Sequence, residues 1–181
     1  MNLLLRLLFT LIAGRFRPAC SAAGPCVTPF RVWPTDLDVL GHMNNGVYLS
    51  ILDVARVDLL VRAGLLTKLR GAGIYPVVAA ETIRFRRSLQ AFQRFDVRTR
   101  IIGRDDKAIL IEQVFLRSPV AGGEEEIMAE AVIRGRFLRK GGGTVAPEEI
   151  MQLAGHVDLP ELEPWIAAWN LSQAGSTATA A

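Results

Sequence analysis

The stretch from Val47 to Leu66 constrains this chain more than any other. Tyr48, Leu52, Ala55, Leu59, Ala63 and Leu66 recur at helical spacing. Val47, Ile51, Val54 and Val61 cover much of the remaining circumference, and only Ser50, Asp53, Arg56, Asp58 and Arg62 interrupt. A helix that is apolar nearly all round is a buried helix, and this one is too short and too charged to span a bilayer. The pattern predicts a helix that begins as the polar run before it ends and continues to Ala63, with Gly64 at the position that stops it. Other elements must wrap around it.

The wrapping elements read as strands. Val27 to Trp33 forms a first one, closed by Pro34. Thr67 to Tyr75 reads as a loop carrying Gly71 and Gly73. From Pro76, Val77, Ala79, Glu81, Ile83 and Phe85 alternate with Val78, Ala80, Thr82, Arg84 and Arg86. A turn at Leu89 to Gln93 leads to Phe95, Val97, Thr99 and Ile101. Asp105-Asp106 turns the chain into Ile109, Ile111 and Phe115. Pro119 to Glu125 is a loop, and Ile127 to Phe137 is a last strand in which Gly135 suggests a bulge or a close backbone approach. The layout is α+β: an antiparallel meander curled around one long buried helix. After Gly141, Gly142 and Gly143, Pro147 opens a short helix that Gly155 can stop. Trp165, Ala168 and Trp169 make an apolar patch. The expected organisation is an apolar N-terminal segment and linker over 1–25, a domain over 26–140, a helical extension over 141–171 and a disordered tail over 172–181.

Half of the 181 residues are apolar, enough for one domain with a sizeable core. The net charge of +3 suits an anionic ligand such as a coenzyme and gives no support to a nucleic-acid partner. Cys20, Cys26, His42 and His156 are the only cysteines and histidines, and they make no zinc spacing. The N-terminal run Leu3 to Ala13 is interrupted by Arg6, lacks a basic residue before it and is followed by Arg15 and Arg17. That order fits a helix lying on an anionic membrane surface. Docking against the domain or a partner subunit is the alternative, and a secretory leader is a third reading. Deleting Met1 to Arg17 is expected to leave a folded domain.

The polar run is Asp36-Leu37-Asp38-Val39-Leu40-Gly41-His42-Met43-Asn44-Asn45-Gly46-Val47-Tyr48. A helix start points unpaired N–H groups outward, and the helix dipole favours negative charge there. The run therefore sets a candidate base beside a candidate oxyanion-binding end, as acyl transfer requires. Each residue also has a structural reading. Asp38 can cap its own turn, Asp36 reads as a turn residue, His42 can bond a backbone carbonyl, and Asn44 is a good helix cap. Arg84, Arg86, Arg87, Arg98, Arg100 and Arg104 can hold coenzyme phosphates or form a solvated strand face. Asp53 and Arg56, one turn apart, read as an ion pair. Asp36, Asp38 and His42 make a poor metal set, so no metal or redox cofactor is expected.

The run Asp36 to Asn45 resembles the hotdog-fold thioesterases, and the resemblance covers about Phe30 to Leu138. Similar runs open the hotdog helix of hydroxybenzoyl-coenzyme-A thioesterases and of plant acyl-carrier-protein thioesterases. The chain resembles most the thioesterase superfamily member 6 group, through Ala55-Arg56-Val57, Phe85-Arg86-Arg87-Ser88-Leu89, Phe95-Asp96-Val97-Arg98-Thr99-Arg100 and the apolar N-terminal segment. The resemblance implies a hotdog fold and an acyl-CoA thioesterase. Asp38 would be its nucleophile or general base, and the Asn45 N–H the donor that polarises the thioester carbonyl. His42 matches the histidine of the plant enzymes, but Leu40 stands where they have asparagine. Asn44, Gly46, Arg86 and Arg87 would bind substrate, carried on coenzyme A or an acyl-carrier protein. A homodimer or higher homo-oligomer with sites between subunits, a cytoplasmic location and peripheral membrane contact follow as expectations. Two rivals remain open: a hotdog hydratase or dehydratase, and a catalytically silent acyl-binding, membrane-tethered protein.

Overall fold

The structure is a computed structural model that describes residues 3–117, 124–155 and 159–175. In chain order its elements are α1 (Leu3–Ala13), β1 (Cys26–Arg31), a 3-10 turn (Pro34–Asp36), α2 (Asn45–Arg62), α3 (Leu65–Gly71), β2 (Ile74–Phe85), β3 (Arg94–Arg104), β4 (Ile109–Arg117), β5 (Glu126–Arg139), β6 (Thr144–Val145), α4 (Pro147–Ala154) and α5 (Pro164–Gly175).

The apolar helix is α2, and it is buried as its pattern requires. Tyr48, Ile51, Leu52 and Ala55 pack with Phe95, Val97, Phe115, Ala129 and Ile133 from the facing strands. The sheet is antiparallel throughout, in the order β1-β3-β4-β5-β2, with β6 beside β5. It is the expected curled sheet around one long helix, and the architecture is the hotdog fold. The strands are not a simple meander, however. β2 and β3 are consecutive, yet β2 pairs with β5. The link between them crosses the start of α2, where Met43 N–H bonds Leu89 O (2.8 Å) and Phe92 N–H bonds Val32 O (2.9 Å). The irregularity expected near Gly135 lies on the facing strand: the register slips between Val78 and Ala80, opposite Gly135 and Arg134.

Two segments depart from the sequence expectation. Thr67 to Tyr75 is not a loop, because α3 continues to Gly71 and buries Leu65 and Leu69, and β2 starts at Ile74. Gly64, at φ +67°, ends α2 and lets α3 start in a new direction. The tail assigned from Ser172 is helical as far as Gly175, because α5 packs Ile166 against Ile102, Leu110 and Val132 on the outer face of the sheet. Residues 176–181, His156 and most of the Pro119–Glu125 loop lie outside the described residues. The C-terminal extension completes the core: Val145 and Ile150 pack with Leu65, Ile74, Ile109 and Phe137.

The N-terminal segment is a helix docked on the domain. Arg6 and Thr10 face inward, while Leu4, Leu5, Leu8, Phe9 and Ile12 are exposed on the outward face. No described helix is long and apolar enough to cross a membrane.

Candidate active site

The polar run folds into a tight loop on the doorstep of α2. Leu37 and Met43 bridge across it, and Asp38 N–H donates to His42 O (2.8 Å). Gly41 N–H closes the turn on Asp38 O (3.1 Å) at φ +77°, a conformation that glycine adopts without strain. Within this loop the Asp38 carboxylate is half-buried, and its Oδ1 accepts from Leu40 N–H (2.8 Å) and His42 N–H (3.2 Å). Among the described residues Oδ2 takes no hydrogen bond. The turn-capping reading of Asp38 is thus present, and it occupies one carboxylate oxygen only. The His42 imidazole is half-buried and makes no side-chain hydrogen bond to Asp38 among the described residues.

Asn44 is the helix cap. Its backbone is extended (φ −61°, ψ 138°), and its Oδ1 accepts from Gly46 N–H at 2.8 Å. Val47 and Tyr48 N–H groups turn back to Asn44 O. Of the first-turn donors, only the N–H of Asn45 has no partner among the described residues. The Gly46 N–H, also considered as a donor, is occupied by the cap. Tyr48 then ties the helix start to the β2–β3 link, its hydroxyl accepting from Leu89 N–H at 3.3 Å. Burial holds the Tyr48 phenol above its usual range, so it stays neutral at physiological pH. The link meets the loop that carries Asp38 at Leu89 and Gln90, and Arg86 and Arg87 precede that joint in the chain. Both are exposed and paired with β5, Arg86 to Glu130 (2.8 Å) and Arg87 to Glu126 (2.9 Å). Three other arginines of the strand face are also engaged: Arg84 lies over Trp165, Arg100 pairs with Glu112, and Arg104 with Glu148.

An apolar cavity of about 280 Å³ lies between the second half of α2 and the sheet, lined by Val57, Leu60, Val78, Ile111, Ile133 and Phe137. The Asp53–Arg56 ion pair read from the sequence stands at its wall. Arg56 also donates to Gln113 Oε1 (2.7 Å), and Gln113 Nε2 donates to Leu52 O and to Thr99 Oγ1, both at 3.1 Å. Sequence reasoning missed Gln113, whose polar character in a buried strand was the only signal. Burial lowers the Arg56 guanidinium, and nearby Asp53 and Glu81 oppose that shift. The cavity and the Asp38 loop do not adjoin within one chain, since Asn45 and Arg56 are separated by about 16 Å of helix rise.

The family model described as the thioesterase-like superfamily matches residues 32–170. Protein THEM6 of Xenopus laevis is 36% identical over 129 residues, covering 66% of this chain and 62% of that protein. The chain therefore spans about six tenths of the length of this relative. The crystal structure of YbaW, a probable thioesterase from Escherichia coli, superimposes with a TM-score of 0.64 at 26% identity, over 70% of this chain and 94% of YbaW. A 4-hydroxybenzoyl CoA thioesterase mutant complexed with 4-hydroxybenzoyl CoA gives a TM-score of 0.64 at 17% identity, over 72% of this chain and 98% of that one. At that identity the likeness carries the fold alone.

Proposed function

This chain belongs to the thioesterase-like superfamily, and from that premise we propose that it is an acyl thioesterase, hydrolysing an acyl-CoA or acyl-carrier thioester to a free acid and a thiol. The observation that carries the reading is the placement of Asp38 in the loop that leads into α2, whose first N–H is that of Asn45. One oxygen of the carboxylate is fixed by two backbone donors, and among the described residues the other takes no bond and the helix-start donor of Asn45 has no partner. A thioester carbonyl that accepts from this N–H develops its negative charge at the positive end of α2. Asp38 then attacks the acyl carbon, releasing thiolate and leaving an anhydride that water opens, or it takes a proton from an attacking water. On either route the water supplies the hydroxyl of the acid and the proton of the thiol. Asn44 keeps the helix start rigid, His42 stands by to orient substrate, and the exposed Arg86 and Arg87 are the cations for coenzyme phosphates. No cofactor enters the reaction.

The apolar cavity suits the acyl chain. Its distance from Asp38 within one chain fits a site assembled from two copies. Tyr75, Val78 and Phe85 on the unpaired edge of β2, with Val39 and Leu40 beside Asp38, are exposed apolar groups for a second copy to cover. The outward face of α1 supports peripheral contact with a membrane on the cytoplasmic side.

The bonds on Asp38 Oδ1 favour one rival, a catalytically silent acyl-binding protein in which Asp38 is only a turn cap. Release of free thiol from a panel of acyl-CoA thioesters, read with a thiol-reactive dye, separates the two. Turnover supports hydrolysis. Binding without thiol release supports the silent protein, and an absorbance change with an enoyl thioester would indicate a hydratase.

A further inference from the structure

Gly135 lies within β5, between β4 and β2, and is buried. Glycine weakens a strand interior, and a left-handed backbone, a bulge or a close neighbour is what calls for it there. Gly135 shows none of the three. Positive φ occurs at other described glycines and not at this one. The register slip opposite it belongs to β2, after Val78. A Cβ placed on Gly135 would come no nearer than 3.7 Å to Ile109 O and 3.8 Å to Ile111 Cδ1, which is ordinary van der Waals contact. The place of the missing side chain belongs to the apolar cavity of about 280 Å³ beside α2. Ile133, Gly135 and Phe137 share one face of β5, and all three line that cavity. Among the described residues Asp53 and Arg56 are the only polar side chains in its wall, and Asp53 is exposed. Past the end of α2, buried Leu65 and Ile150 extend the apolar wall.

Resting on the proposed hydrolytic reading, we infer that Gly135 is a specificity-determining residue, and that the acyl group is an unsubstituted aliphatic chain of medium length. A side chain at this position grows into the cavity, because it continues the row of Ile133 and Phe137. Its absence leaves that volume to the substrate. An apolar cavity of about 150 Å³ takes up benzene, so one of about 280 Å³ holds a hydrocarbon of about ten carbons. The wall also selects by polarity. A hydroxylated aromatic acyl group would bury its hydroxyl among Ile101, Ile109, Ile111 and Ile133 with no side chain there to bond it. A methylene chain loses nothing in the same place and gains contact along its whole length. Gly135 touches no reacting atom and acts only on which chain fits.

Thiol release by the full chain from straight-chain thioesters, acetyl-CoA through palmitoyl-CoA, tests this in wild type, Gly135→Ala and Gly135→Val. Wild-type kcat/KM should peak near decanoyl-CoA. Gly135→Val should lower the ratio of decanoyl-CoA to butyryl-CoA kcat/KM by about 10- to 200-fold, the scale of discrimination by fit in an apolar pocket. Gly135→Ala should lower it by less. The Ala methyl meets only ordinary contacts, so this variant carries the test should Gly135→Val fail to fold. Calorimetric binding of decyl-CoA and butyl-CoA, thioethers that cannot be hydrolysed, is measured beside it. Weaker decyl-CoA binding in the variants, with no thiol released by any of the proteins, would overturn hydrolysis and leave the acyl compartment standing. An unchanged chain-length profile in the variants, in turnover and in binding, would overturn the role of Gly135 whether or not the protein is a hydrolase. A wild-type preference for 4-hydroxybenzoyl-CoA over decanoyl-CoA would overturn the aliphatic assignment.

Discussion

Arg6 of α1 and Asp36 of the loop before α2 form an ion pair in which both side chains are 4% exposed. Asp36 also accepts from Trp33 N–H (2.7 Å), and its carbonyl accepts from Asn44 N–H (2.8 Å). The N-terminal helix is therefore fastened to the loop that carries Asp38 two residues further on. Removing one partner of a buried pair leaves an uncompensated charge. Arg6→Ala should destabilise the protein by about 3–5 kcal/mol in urea denaturation and lower thiol release through the displaced loop. Deletion of Met1 to Arg17, harmless on the sequence reading, strips Arg6 from Asp36 and Arg17 from Asp58, and should be at least as costly. A truncated domain as stable as the full chain would show that α1 is merely laid on the surface.

Asp38→Asn separates chemistry from capping. Asn keeps the acceptor oxygen that holds Leu40 and His42 N–H but cannot attack an acyl carbon or take a proton. Thiol release should fall on the order of 100- to 10,000-fold with melting unchanged, whereas Asp38→Ala should also lose about 1 kcal/mol of stability. His42→Ala should cost less rate than Asp38→Asn. Wild-type turnover by Asp38→Asn would leave the acyl-binding reading ahead.

The edge strand β2 predicts self-association. It spans Ile74–Phe85, pairs on one side only among the described residues, and exposes Tyr75, Val78 and Phe85. Long unpaired edges are usually covered or charged. Light scattering at micromolar concentration should give a dimer or larger, and Val78→Lys should shift it toward monomer. A monomeric wild type would argue strongly against a site shared between copies.

Acid should loosen the C-terminal helix first. Arg134, 3% exposed, donates to Asp105 Oδ2 (2.6 Å) and to Asn170 Oδ1 on α5 (2.9 Å). Burial raises the Asp105 carboxyl, but bonds from Lys107 N–H, Arg134 and Asn170 outweigh it and hold the group below its usual range. A folded-state value below the unfolded one adds stability that is complete above the ordinary aspartate value, about 4, and fades as pH falls through it. Melting temperature should drop more steeply below that pH in wild type than in Asp105→Asn, which should start lower. Parallel pH profiles would remove Asp105 from the account.

Local order was legible in the sequence because local rules set it. The 3.6-residue repeat from Tyr48 to Leu59 demands burial on every side, and the period-2 runs from Val77 onward supply the cover. Asn44 caps α2 through its own neighbours, and Asp38 sits before the helix by chain order alone. What spans distance was decided by the tertiary structure. The alternation in β2 specifies a strand but not that it joins β5 instead of β3. α3 is too short for a periodic signal to outweigh Gly71 and Gly73, and it forms because Leu65 and Leu69 find a core. Arg6 reads as a break in an apolar run until it meets Asp36, and Asp58 reads as one charge on a buried helix until Arg17 and Thr28 close on it. Burying a charge is governed by partners far along the chain, and only the closed fold brings those partners together.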